Sequence, residues 1–84
     1  GGYISDLLSD VMANARPGAV WLTIQAHQNV VAVAVLKELA AVILVGGRAP
    51  AEETAAKAEQ EALAVLTTTD DAFALAGKLH DLGL

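Results

Sequence analysis

Cysteine is absent from the 84 residues, so neither a disulfide framework nor a thiolate metal site is open to this chain. Aromatic residues are scarce as well, with one Tyr, one Trp and one Phe. The apolar 55% of the chain is therefore mostly Ala, Val and Leu, more aliphatic surface than so small a body readily hides. Self-association is expected, because exposed apolar patches become interfaces. Only five Lys and Arg oppose ten Asp and Glu, a net charge of −5, and the basic residues are scattered. That disfavours nucleic-acid or anionic-membrane binding through a basic patch. No membrane-length apolar run exists. The longest, Val30 to Val45, is interrupted by Lys37 and Glu38 and falls short of the ~20 residues a span needs. Gly1-Gly2-Tyr3-Ile4-Ser5-Asp6 shows no secretory leader, which makes the cytoplasm the expected compartment. The stretch does not begin with Met, and residues upstream of Gly1 are expected.

What is present is organised around Leu39 to Ala58. The apolar, β-branched run Val42 to Val45 leads into Gly46-Gly47-Arg48, then Pro50 and a run of alanines and glutamates. A buried strand, a tight turn and a helix opening on proline have this order. It is half of a parallel βαβ unit, and the rest of the chain reads as more of them. Ser5 is a good N-cap with Asp6 in the first turn, and Ile4, Leu7, Leu8, Val11, Met12 and Ala15 form one stripe. Arg16-Pro17-Gly18 ends that helix, predicted over 5–15. Val20 to Gln25 alternates as a strand, with Trp21 expected in the core or at an interface. Val30 to Ala40 is apolar nearly all round. Its valines would suit a strand, but its length and the Leu36-Lys37-Glu38-Leu39 tail favour a helix over 29–40 with a second apolar side needing cover. Helix 50–62 presents a small-residue stripe, Ala51, Ala55, Ala58 and Ala62, with Glu53–Lys57 as a supporting pair. Leu63 to Leu66 is a strand. Thr69 caps a last helix over 70–82, whose stripe is Ala72, Leu75, Ala76, Leu79 and Leu82. The predicted fold is α/β: one small three-layer domain over 1–84 with a mostly parallel sheet.

In such a sheet the turns Gln25–Asn29, Gly46–Pro50 and Thr67–Asp70 all emerge at the strands' C-terminal edge, where open α/β sheets bind ligands. His27 there suits a phosphate contact or a proton-dependent switch, against the plainer reading of a loop histidine bonded to backbone. Gln25, Gln28 and Asn29 around it can donate and accept hydrogen bonds but cannot serve as proton acceptors in catalysis. Gly46 and Gly47 would let backbone N–H groups approach an anion, with Arg48 adding charge; equally, a glycine pair supplies the positive φ of a turn. Thr67 and Thr68 offer hydroxyls. Asp6 and Asp10 read as a solvated helix face rather than a cation site, and His80 as a favourable cation near a helix C-terminus. No Gly-x4-Gly-Lys-Ser/Thr phosphate loop, catalytic triad or metal cluster is legible.

At Val45-Gly46-Gly47-Arg48-Ala49-Pro50 and Val65-Leu66-Thr67-Thr68-Thr69-Asp70 the chain resembles the DRTGG domain. That domain is named for an Asp-Arg pair after one strand and a Thr-Gly-Gly after the next. Gly46-Gly47 match the glycine pair, Val45 stands where the Thr would be, and His27-Gln28-Asn29 occupies the Asp-Arg turn. Asp70 and Phe73 look like the family's C-terminal end. The stretches Gly1 to Met12 and Trp21 to Asn29 are similar to a short stand-alone subgroup from anaerobic bacteria, whose genes often lie near iron hydrogenase genes. Family members also occur inside phosphotransacetylases and CBS-containing pyrophosphatases as accessory parts. The resemblance implies an α/β regulatory or ligand-sensing domain, commonly dimeric.

The expected function is therefore non-catalytic: binding of a small anionic or nucleotide-like ligand, or of a redox-enzyme-associated protein partner, by a homodimer. No cofactor, metal, nucleic acid or membrane enters it. The expected site is Gln25, His27, Gln28, Asn29, Gly46, Gly47, Arg48, Thr67 and Thr68. Two alternatives stay open. One is a dimeric interaction scaffold whose Val-rich helix carries the contact; the other is a phosphotransfer enzyme.

Overall fold

The computed structural model describes residues 1–84. Strands and helices alternate: β1 (Gly2–Ile4), α1 (Leu8–Asn14), β2 (Val20–Thr23), α2 (Asn29–Leu36), β3 (Ala41–Leu44), α3 (Glu52–Gln60), β4 (Ala64–Thr67) and α4 (Ala72–Asp81). All four strands are parallel, in the order β1-β2-β3-β4. An order that never reverses, joined by right-handed crossovers, puts α1, α2 and α3 side by side on one face of the sheet. α4 follows the last strand and packs on the other face. The three-layer α/β expectation holds, with a sheet that is wholly parallel.

Both faces of the sheet are apolar because both are covered. Trp21, Val42 and Leu44 point to the first face and pack with Val11 and Ala15 of α1 and Val30 and Ala34 of α2. Leu22, Ile43 and Val45 point to the second and pack under Leu75 of α4, flanked by Ala72, Ala76 and Leu79. Trp21 is a core residue, fully buried, with its indole N–H donating to the Ser5 carbonyl at 2.8 Å. The Val-rich segment is a helix. It buries Val30, Val31 and Ala34 and leaves Ala32, Val35 and Leu36 in solvent, so its second apolar side is open.

Several expected boundaries and stripes differ from those observed. α1 spans 8–14 rather than 5–15. Ser5 does not cap it: the Ser5 hydroxyl accepts from the Leu7 N–H at 3.2 Å, and Asp6 is turned toward β2. Ile4 belongs to β1 and Leu7 is exposed, so the buried part of the α1 stripe is Val11 and Ala15. On α3, Thr54 and Ala58 are buried, while Ala51, Ala55 and Ala62 are exposed. Lys57 pairs with Glu61 at 3.5 Å, not with Glu53. The cap of α4 is Asp71, whose carboxylate accepts from the Ala74 N–H at 2.8 Å; Asp70 instead pairs with Lys78 at 2.7 Å. Leu82, expected in the α4 stripe, is exposed, as is Phe73.

The C-terminal overruns share one cause. α2, α3 and α4 all close with a Schellman motif. Glu38, Ala62 and Gly83 take the left-handed position, with φ of 55°, 54° and 92°. The following residue is leucine each time, and its N–H reaches back to the helix: Leu39 to Ala34 O, Leu63 to Ala58 O and Leu84 to Leu79 O, at 2.9–3.1 Å. Only the third carries the glycine by which such an ending is read in sequence. A non-glycine residue there costs roughly 1–2 kcal/mol. Glu38→Gly is therefore expected to stabilise the domain by about 1 kcal/mol after the added unfolded-state entropy, raising Tm by roughly 4–8 °C. An unchanged Tm in a calorimetric scan would show that the turn is not strained.

At the β1 edge, the Tyr3 hydroxyl donates to the Asp10 carboxylate at 2.8 Å, and the Asn14 amide donates to it at 2.9 Å. Hydrogen bonds from Ser5, Tyr3 and Asn14 hold the Asp10 carboxyl below the usual carboxylate range. The bond to Asp10 raises the Tyr3 phenol above its ordinary value. Asp10 is thereby committed to fastening β1 to α1.

Candidate functional site

Parallel strands carry all their following loops at one edge, and here four loops stand there in strand order: 5–7, 24–28, 45–51 and 68–71. Each is fastened to the next. The Asp6 carboxylate accepts from the Ile24 N–H and from the Thr23 hydroxyl, both at 2.9 Å. The Gln25 side-chain amide donates back to the Asp6 carbonyl at 3.1 Å. The Ala26 carbonyl accepts from the Ala51 N–H at 3.2 Å and from the buried Thr54 hydroxyl at 2.6 Å. The Gly46 N–H donates to Asp70 O at 2.7 Å, and the Gly47 N–H to Thr68 O at 2.9 Å.

The glycine pair has a conformational reason. Gly46 and Gly47 sit at φ of 68° and 77°, two consecutive left-handed residues that only glycine adopts cheaply. The backbone donors expected of this pair for an anion are both engaged by the neighbouring loop. What remains open is a hollow of about 300 Å³ between the β3 and β4 loops, lined by Gly47, Arg48, Ala49, Thr67, Thr68 and Thr69. Arg48 is its one charged lining residue, exposed, with a guanidinium N–H donating to the Gly46 carbonyl at 3.3 Å. The Thr68 hydroxyl accepts from the Asp70 N–H at 3.1 Å, which orients it within its loop.

Of the nine expected site residues, Gly47, Arg48, Thr67 and Thr68 line this hollow; Gly46 does not, and its N–H is bonded to Asp70 O. Gln25, His27, Gln28 and Asn29 do not. Gln25, His27 and Gln28 occupy the adjacent loop, joined to the start of α3 through Ala26, and Asn29 opens α2. His27 is exposed, and its Nδ1 accepts from the Asn29 N–H at 3.2 Å, a local contact at the start of α2. Gln28 precedes α2 without a side-chain cap bond. Asp6 and Thr69 were not among the expected site residues. No local signal marks Asp6, because its partners lie 17 and 18 positions away. Thr69 follows directly on Thr67-Thr68, and adjacency alone could have included it. No group of three His, Asp or Glu side chains lies close enough to hold a metal ion, and no helix is long and apolar enough to cross a membrane.

A parallel sheet with helices on both faces and a laced row of loops at its C-terminal edge defines an open α/β domain. The chain belongs to the DRTGG domain family, whose model matches residues 6–82, a regulatory or ligand-sensing type of domain. No curated protein and no solved structure gives a significant match to it.

Proposed function

We propose that this chain is a non-catalytic ligand-sensing domain. It takes a small anionic or nucleotide-like ligand in the hollow between the β3–α3 and β4–α4 loops. The observation that carries the reading is the placement of Arg48 beside Thr67, Thr68 and Thr69 around one hollow at the ligand-binding edge of a parallel sheet. A guanidinium fork suits phosphate or carboxylate oxygens, and threonine hydroxyls add neutral donors. The long contact of Arg48 to a neutral carbonyl is one that an ionised acceptor outcompetes. His27, Gln28 and Asn29 on the neighbouring loop supply contacts for the rest of an extended ligand such as a nucleotide.

Thermal shift against phosphate, pyrophosphate, acetyl phosphate, AMP and ATP tests this. A binder at ten times its Kd adds about 1.4 kcal/mol to the folded state. For a domain of this size that raises Tm by roughly 6–11 °C. Arg48→Ala is expected to abolish the rise while changing unliganded stability by less than about 0.5 kcal/mol, as an exposed surface substitution does. The reading fails if no compound shifts Tm, or if Arg48→Ala responds as the parent does.

The second reading is a dimeric interaction scaffold without a small-molecule ligand, supported by the open apolar side of α2. Under it, the resemblance to the hydrogenase-linked stand-alone subgroup makes a cytoplasmic redox-enzyme-associated protein the natural partner. The phosphotransfer alternative has least support, since the chain has no phosphate loop and both glycine N–H groups of its turn are engaged.

A further inference from the structure

The rim of the hollow between the β3 and β4 loops carries more negative than positive side chains. Arg48 is the one charged residue lining it. Three positions beyond its lining residue Ala49, α3 opens with Glu52 and Glu53, both exposed. On the other wall, Thr69 runs directly into Asp70 and Asp71. The Asp70 carbonyl accepts the Gly46 N–H at 2.7 Å, which holds this corner against the glycine turn. Lys78 pairs with the Asp70 carboxylate at 2.7 Å, while the Asp71 carboxylate accepts only the neutral Ala74 N–H at 2.8 Å. Two cations thus stand against four carboxylates. The neutral donors are the threonine hydroxyls; that of Thr68 accepts from the Asp70 N–H and keeps its own proton free to donate.

We propose that the anion this hollow selects is a phosphodiester, with a single negative charge, in preference to a phosphomonoester or a polyphosphate. The inference rests on the ligand reading above and names the charge that ligand carries. A phosphomonoester loses its second proton at about pH 6 and enters as a dianion at neutral pH, whereas a diester has no second proton to lose. An anion bound here gives up hydration, and that loss grows with its charge. The Arg48 fork matches the two unbridged oxygens of a diester, and the threonine hydroxyls supply donors that add no charge. A second negative charge finds no second cation, because Lys78 is committed to Asp70. It meets the field of Glu52, Glu53 and Asp71 instead.

Isothermal titration calorimetry with cyclic AMP and AMP, which share one nucleoside, tests this. At about pH 7.5 cyclic AMP is expected to bind at least about 5-fold more tightly than AMP, the effect of one uncompensated surface charge. At about pH 5.5 AMP is mostly a monoanion, and the two should come within about 2-fold of each other. Protonation of His27 or of the rim carboxylates acts on both ligands, so their ratio reports the charge on the phosphate. Glu52→Gln combined with Glu53→Gln should narrow the ratio at the higher pH to about 2-fold. Circular dichroism checks that this variant is folded, and the pH comparison on the parent chain stands without it. The inference alone is overturned if AMP binds as tightly as cyclic AMP at the higher pH, or if the ratio is unmoved by pH or in the folded double variant. Binding of neither nucleotide, or unchanged binding of both by Arg48→Ala, removes the ligand reading along with it.

Discussion

Trp21→Ala is expected to remove about 3–5 kcal/mol of stability, most of what a domain of this size has. Trp21 is fully buried on the face of the sheet that α1 and α2 cover, in the same cluster as Val11, Val30 and Val42. Truncation leaves a cavity among side chains fixed by a parallel sheet, which cannot collapse to fill it. It also strands the Ser5 carbonyl that the indole N–H satisfies at 2.8 Å. Trp21→Phe separates the two effects. It keeps much of the packing and loses the hydrogen bond, so roughly 1–3 kcal/mol of the loss should remain. Urea titration followed by far-UV circular dichroism measures both variants without relying on the fluorophore being replaced. A loss below about 1 kcal/mol for the alanine variant would place Trp21 outside the core.

Asp6→Ala carries the next largest effect, about 2–3 kcal/mol, because one carboxylate oxygen accepts both the Ile24 N–H and the buried Thr23 hydroxyl. Hydrogen bonds to a charged acceptor are stronger than neutral ones, and the pair joins the loop after β1 to the end of β2. Asp6→Asn keeps an acceptor oxygen in place and should restore most of the loss. Equal losses for the two variants would mean that charge, not hydrogen bonding, holds the loops together. Amide exchange at Ile24 gives a second reading and is expected to accelerate in Asp6→Ala alone. A protected Ile24 amide in that variant would contradict the contact.

Several elements were legible in the chain because their cause is local. The alternation from Val20 to Gln25 marks a strand, which the structure ends at Thr23, and it buries Trp21 on one face of the sheet and Leu22 on the other. The glycine pair announced a turn of positive φ, and Gly46 and Gly47 both adopt it. Helix ends were less legible. Glu38 and Ala62 occupy left-handed positions that glycine would have advertised, so α2 and α3 stop short of their predicted ends. Asp6 looked like a helix-start residue, yet the strand pairing of β1 with β2 brings Ile24 and Thr23 within its reach, and it bonds there instead. Thr54 had no place in an alanine stripe. It is buried because its hydroxyl finds the Ala26 carbonyl, 28 positions away.

The primary structure by itself determined the alternation of strands and helices, the parallel sheet and the edge at which its loops gather. Those follow from short-range periodicity, turn chemistry and the handedness of crossovers. Tertiary structure alone decided which loop residues share a hollow, separating His27 from Arg48 and joining Arg48 to Thr67 and Thr68. It also decided that the glycine N–H groups bond across to the β4 loop. The physical reason is that a backbone donor at a sheet edge bonds whichever acceptor the neighbouring strand delivers, and strand order is a property of the packed whole.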